Sequence, residues 1–166
     1  AADVALTVSA GTTTAAQLNT INGGTTGLVT ATAVTAISGT GAQLNTLVGN
    51  EGTTGDKVDL LASVAITVDT GTFTVAHANA ISAITSGVVT GTITETDITA
   101  LDDLTGTGNA YTITVATTSV TASALNTVDG ATTEAVTATA VTTITGAAAD
   151  VNTAYASSGI TGLADE

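Results

Sequence analysis

"VTATAVTAISGTGAQLNTL" spans Val29 to Leu47, and "VTATAVTTITGAAADVNTA" spans Val136 to Ala154. One phrase written twice, in an alphabet of Val, Thr, Ala, Gly and Asn, points to a structural unit laid down repeatedly, whereas a catalytic site is normally built once. Each copy opens with period-two alternation, the mark of a strand with two unlike faces. A Thr- and Gly-rich bend follows, and then an Ala-rich stretch ending in Asn-Thr.

Two markers carry the same period through the whole chain. Strand-like pairs fall at Thr7/Ser9, Thr30/Thr32, Thr67/Asp69, Thr90/Thr92, Thr112/Thr114 and Thr137/Thr139, and the Leu-Asn element recurs at Asn19, Asn45, Asn79, Asp102, Asn126 and Asn152. Both step by about 22–26 residues, the length of one supersecondary repeat. The exception is "VGNEGTTGDKVDLLAS" (Val48–Ser63), which reads as an insert. The result is six units over a single domain, 1–166: 5–27, 28–63 with its insert at 48–63, 64–87, 88–110, 111–134 and 135–159. Leu6/Val8, Val29/Ala31, Val68 flanked by Ile66, Val89/Gly91/Ile93, Tyr111/Ile113/Val115 and Val136/Ala138 form the expected inward register. Thr7, Thr30, Thr32, Thr67, Thr90, Thr92, Thr112, Thr114, Thr137 and Thr139 form the outward one, where a β-branched hydroxyl suits an exposed strand.

After each strand, "TAAQLNTI" (Thr14–Ile21), "TALDDL" (Thr99–Leu104) and "TASALNTV" (Thr121–Val128) each read as a Thr N-cap and one or two turns of α- or 3₁₀-helix. "NGGTTG", "GTGN" and "DGATT" read as closing loops. Units this short cannot bury an apolar strip alone and must stack. The expected fold is mainly β: a parallel β-solenoid of about six coils, each with a strand and a short helix or 3₁₀ turn. A β-sandwich is disfavoured, because the helical element recurs at one fixed place in each unit.

Composition narrows the class of job. The 166 residues hold 18 Gly, two Tyr and one Phe but no Pro, Cys, Met or Trp, so a wide core cannot be filled and a thin one can. Hydrophobic residues make up 43%, against the signature of disorder. The formal net charge is −13, with Lys57 the only Lys or Arg. Such a surface cannot neutralise phosphates, which excludes nucleic acid and anionic membranes as partners. No apolar run approaches the roughly 20 residues that span a bilayer, so membrane insertion is not expected. Without Cys there is no disulfide framework or thiolate metal site, and such a chain is compatible with an oxidising exterior.

"T-x-x-A-L-N-T-[IV]-[DN]-G…T-T-x-x-V-T-A-T-A-V-T-x-I-T-G", best seen in Ser119–Gly159, resembles repeats in giant secreted or cell-surface proteins of marine cyanobacteria, of the kind associated with swimming motility. The likeness covers nearly all units but not the insert. It implies an extracellular or cell-surface location and a structural, non-enzymatic role, and it carries no catalytic residues.

Candidate chemistry is sparse. His77, the lone histidine, stands where Gln stands in "AAQLN" and reads as a surface helix residue rather than a metal ligand or base. Asp97, Asp102 and Asp103 are the Ca²⁺ candidates, since clustered oxygen ligands suit that ion, but no EF-hand or β-roll pattern surrounds them. Caps and solvated surface are the favoured reading, and no cofactor is expected. Asn19, Asn45, Asn126 and Asn152 fall at one site in the repeat and could form an amide ladder or helix C-caps; Asp102 breaks the row and Asn79 follows Ala instead of Leu. The Thr rows offer a non-catalytic adhesin or ice-binding face as the alternative to a filament, stalk or surface layer. Neither end carries Pro, a Lys-rich strand or a capping helix. Either this is one stretch of a longer chain, or the ends of separate copies meet, with head-to-tail self-association through Leu6–Ser9 and Val136–Ile160 as the expected contact.

Overall fold

The computed structural model describes residues 1–163; part of the terminal "ITGLADE" used in the end-cap argument, residues 164–166, lies outside the described residues. The chain forms two compact units, Ala1–Phe73 with Ala80–Thr90, and Thr74–Asn79 with the chain from Gly91 onward.

The first unit holds β1 (Leu6–Thr7), β2 (Gly11–Thr14), α1 (Ala15–Gly24), β3 (Val29–Ala31), β4 (Val34–Gly39), α2 (Gly41–Asn50), β5 (Val58–Leu60) and β6 (Ala65–Val68). Next come α3 (Val75–Ser82) and β7 (Val89–Thr92), whose residues are divided between the units. The second unit continues with α4 (Ile98–Leu101), β8 (Ala110–Thr112), β9 (Ser119–Thr121), α5 (Ala122–Ala131), β10 (Val136–Thr137), β11 (Thr143–Thr145), α6 (Ala148–Ala156) and β12 (Ile160–Thr161).

The expected mainly-β solenoid is overturned. Among the described residues the fold is α/β, with about 31% helix and 28% strand, several parallel sheets and six helices. The error lies at the ends of the helices. The starts of "NGGTTG" and "DGATT" read as loops and "VGN" as the start of the insert, yet α1, α2 and α5 run through them to ten residues each. A glycine in a helix interior costs about 1 kcal/mol. Burial of Leu47 and Val128 at 0% exposure one turn earlier, and packing of α1 on α2 and of α5 on α4 and α6, outweigh that cost.

The starts are set by caps. Thr14 accepts the Gln17 N–H at 3.2 Å while the Gln17 side chain accepts the Thr14 N–H at 3.1 Å. Thr40 and Gln43 repeat this reciprocal pair. Thr121 caps α5 through the Ala124 N–H. The start read at Thr99 is displaced: Asp97 is the N-cap of α4, which is one turn long.

The strand pairs between β1 and β3, β3 and β5, β2 and β4, β4 and β6, β6 and β7, β9 and β11, and β10 and β12 are parallel. In the first unit β1, β3 and β5 form one sheet, in which Val29 aligns with Leu6 on one side and Val58 on the other. β2 pairs with β4 and β4 with β6, and Ile66–Thr67 align with Val89–Thr90. The insert thus supplies a strand of its own, β5, and β6 pairs with β4 instead of β3. In the second unit β9 pairs with β11 and β10 with β12. The core is thin and aliphatic: Leu18, Val29, Ala31, Leu47 and Val58 in the first unit and Val115, Leu125, Val128, Val136 and Ala138 in the second are all at 0% exposure. Tyr111 is buried beside them, whereas Leu6 and Tyr155 are exposed.

Candidate functional site

Three of the recurring Asn residues join a repeat to the next one. On α1, Asn19 Nδ2 donates to the Gln43 carbonyl of α2 at 2.9 Å. On α5, Asn126 Nδ2 donates to the Asp150 carbonyl of α6 at 3.0 Å. Between them, Asn79 Nδ2 donates to the Asp103 carbonyl at 2.8 Å. All three bonds span 24 residues. The amides do not bond to one another; each reaches a main-chain carbonyl of the next repeat. The other two Asn of the expected row, Asn45 and Asn152, are exposed on α2 and α6.

A second joint was not legible in the sequence. Thr25, Thr85 and Thr132 are buried, at 3%, 9% and 9% exposure. Each hydroxyl donates to a carbonyl 21 residues back, at the start of its own unit or just before it: Thr25 to Val4 at 2.6 Å, Thr85 to Val64 at 2.6 Å, Thr132 to Tyr111 at 2.7 Å. Each also accepts a main-chain N–H two residues on, from Gly27, Gly87 and Glu134. At Gly27 the chains approach so closely that a Cβ would lie 2.6 Å from the Val4 carbonyl. Ser157 holds the corresponding turn by donating to Asp129 Oδ2 at 2.6 Å and accepting the Gly159 N–H. The only signal available was a hydroxyl residue two positions before Gly or Glu at the end of each helix, which is indistinguishable from ordinary turn chemistry.

The outward Thr rows are short. Thr7 aligns with Thr30, but Thr30 aligns next with Asp59. Thr67 aligns with Ser38 and Thr90, and Thr137 with Thr114 and Thr161. Thr7, Thr32, Thr67, Thr90, Thr92, Thr112, Thr114 and Thr139 are exposed, while Thr30 and Thr137 are half-buried.

The titratable candidates are accounted for locally. His77 takes the part that Gln plays in α1 and α2: its N–H donates to Thr74 Oγ1 at 3.2 Å and its Nδ1 accepts the Thr74 N–H. Asp97 accepts the Thr99 hydroxyl at 2.6 Å and the Thr99 N–H at 2.9 Å. Those two bonds, the hydroxyl first, hold its carboxyl below the ordinary aspartate value of 3.8. Asp102 ends α4 as its C-cap, and Asp103 contributes only its carbonyl to Asn79. Among the described residues no three His, Asp or Glu side chains group as metal ligands would, and no helix is long and apolar enough to cross a membrane. Lys57 donates from Nζ to the Gly49 carbonyl at 2.8 Å, tying the insert to the end of α2.

No protein family, curated protein or solved structure matches the chain at a significant level.

Proposed function

We propose that this chain is a non-catalytic structural repeat module of the cell exterior, one that forms or extends a filament, stalk or surface layer. The observation that carries the reading is the Asn joint: the same side-chain amide meets a main-chain carbonyl 24 residues on, three times over. Half-buried amides that bond one repeat to the next support a structural role for the repeats. The resemblance of Ser119–Gly159 to repeats of giant cyanobacterial surface proteins supports the location, as does a surface of net charge −13 with one Lys. An ice-binding face has less support, because Asp59 sets a carboxylate beside Thr30 in the strand register.

The test is immunogold labelling of the cells that make the protein. Label on filamentous or layered material outside unpermeabilised cells is expected. Label found only inside permeabilised cells overturns the reading.

A further inference from the structure

β9 is an edge strand although further repeats flank it on both sides: among the described residues its one sheet neighbour is β11. The spacing of the repeats explains the open side. In the later repeat the chain runs from the end of β8 at Thr112 to the α5 cap at Thr121. In the earlier one it runs from the end of β7 at Thr92 to the α4 cap at Asp97, a much shorter path. The two stay side by side as far as the Ala116 N–H, which donates to the Thr96 carbonyl at 2.8 Å. Beyond that point the earlier repeat turns into α4 and sets no strand against β9. A groove of about 340 Å³ results, lined by Thr96, Asp97, Ala116, Thr117 and Thr118. That is within the size range of small binding sites.

The chemistry of this edge can be read group by group. Successive residues of a strand turn their N–H and C=O groups to opposite edges. The Thr118 carbonyl accepts the Thr143 N–H at 3.1 Å, so Thr118 and Val120 face β11. The N–H and C=O of Ser119, an exposed residue, then face the side of the earlier repeat, where the groove lies. Asp97 brings a carboxylate to the same place, with Oδ1 held by the Thr99 N–H and hydroxyl. Lys57, the only Lys or Arg, belongs to the other compact unit. A net charge of −13 disfavours a second copy as the occupant and favours a cationic one.

We infer that the β9 edge and the Asp97 carboxylate form a docking groove for an extended, Lys- or Arg-bearing segment of another protein. The segment adds to β9 as a strand and exchanges main-chain hydrogen bonds with Ser119. Its cationic side chain meets Asp97. Ala116 is the one apolar residue of the lining, so main chain and charge, not an apolar anchor, select the occupant. This docking goes beyond the structural-module reading and does not depend on it.

A nuclear magnetic resonance titration of the full chain with the blocked peptide acetyl-Thr-Val-Lys-Val-Thr-amide tests the groove. Saturable shifts are expected at the Ser119, Thr96 and Asp97 amides. Asp97→Asn should weaken the peptide by about two- to fivefold, the range of an exposed ion pair. Ser119→Pro deletes the outward N–H and leaves the Thr118 and Val120 groups on β11, so binding should be lost. Circular dichroism establishes that this variant folds. A peptide N-methylated at its central amides puts the same question to the unmodified chain and should not bind. The absence of saturable shifts, equal binding by the N-methylated peptide or by a Glu-for-Lys peptide, or an unchanged affinity in Asp97→Asn overturns the docking. The same shifts from ethylammonium chloride also overturn it, leaving a bare cation contact. Ser119 shifts that follow protein concentration without peptide overturn it as well, and give the edge to a second copy.

Discussion

Asn79 grips the segment after α4 from both sides: its Nδ2 donates to the Asp103 carbonyl at 2.8 Å and its Oδ1 accepts the Thr105 N–H at 3.0 Å. The second bond exists because α4 is one turn long and leaves the Thr105 N–H outside any helix. In α2 and α6 the helix continues past the accepting carbonyl and uses the equivalent N–H internally. Asn19 and Asn126 consequently keep a buried Oδ1 without a hydrogen-bond partner. A hydrogen bond contributes roughly 0.5–1.5 kcal/mol net, and a buried unsatisfied oxygen costs about 1–3 kcal/mol. Asn79→Ala should therefore destabilise by about 2 kcal/mol, and Asn126→Ala by about 1 kcal/mol or less, since it also removes an unsatisfied atom. Urea melts of the two variants check the order. An equal or reversed order would show that the Oδ1 contact contributes nothing.

The buried hydroxyls should matter more than the exposed ones. Thr132→Val keeps the shape but strips partners from the Tyr111 carbonyl and from the Tyr111 and Glu134 N–H groups. It should cost about 1–3 kcal/mol, the penalty for buried polar groups left unpaired. Thr112→Val and Thr139→Val, on exposed positions, should stay within about 0.5 kcal/mol. Comparable losses at all three sites in thermal melts would contradict the assignment of Thr132 as a joint.

This contrast marks how far the sequence could be read. The repeat period, the Thr14 and Thr121 caps and the inward placement of Val29, Ala31, Tyr111, Ile113, Val136 and Ala138 follow from spacing, because local alternation and capping chemistry fix them. The helix lengths do not, since what carries α1 through Gly23 and Gly24 is packing on α2, a contact some two dozen residues away. The same holds for Thr25 against Thr30. Both are Thr beside strands, and only the approach of Val4 decides that one hydroxyl is buried. The strand of the insert was hidden too, because "KVDLL" aligns with β3 only after the repeat period has been broken.

Asp97 gives the pH prediction. Its carboxyl is held below 3.8 by the Thr99 hydroxyl and then the Thr99 N–H. A depressed folded-state value means that its contribution to stability is present above the unfolded value and is lost as pH falls through the folded one. The window therefore lies on the acid side of 3.8, and neutral-pH stability is insensitive to it. Thr99→Val removes the larger cause and keeps the N–H bond, so the Asp97 midpoint should rise toward 3.8 in a carboxyl-carbon NMR titration. An unchanged midpoint would show that the hydroxyl does not bond to the ionised form.

Lys57 offers a proteolytic readout of the insert. It is the only Lys or Arg in 166 residues, so trypsin can cut this chain at one place alone. In the folded protein Nζ is bonded to the Gly49 carbonyl, and the next residue, Val58, is at 0% exposure in β5. A protease needs several residues in extended, accessible form, and this segment must open first. The native protein should survive trypsin intact, and the heated protein should give one cut and two fragments by mass spectrometry. Rapid cleavage at low temperature would mean that β5 is not held against β3.

The thin core sets the last prediction. Ala31 and Ala138 are both at 0% exposure; Ala31 aligns with Leu60 across β3 and β5, and Ala138 directly follows β10, where Val136 aligns with Ile160. Small residues at these places let helix and sheet approach closely, which is how a chain with one Phe, two Tyr and no Trp fills its interior. Added methylenes have no void to enter and must push side chains off their rotamers, at about 1–3 kcal/mol. Ala31→Leu and Ala138→Leu should each lower the melting temperature accordingly, whereas Ala33→Leu, exposed two residues beyond Ala31, should be nearly neutral. Calorimetry on the three variants decides it: a neutral Ala31→Leu would place that side chain toward solvent and shift the register of β3 by one residue.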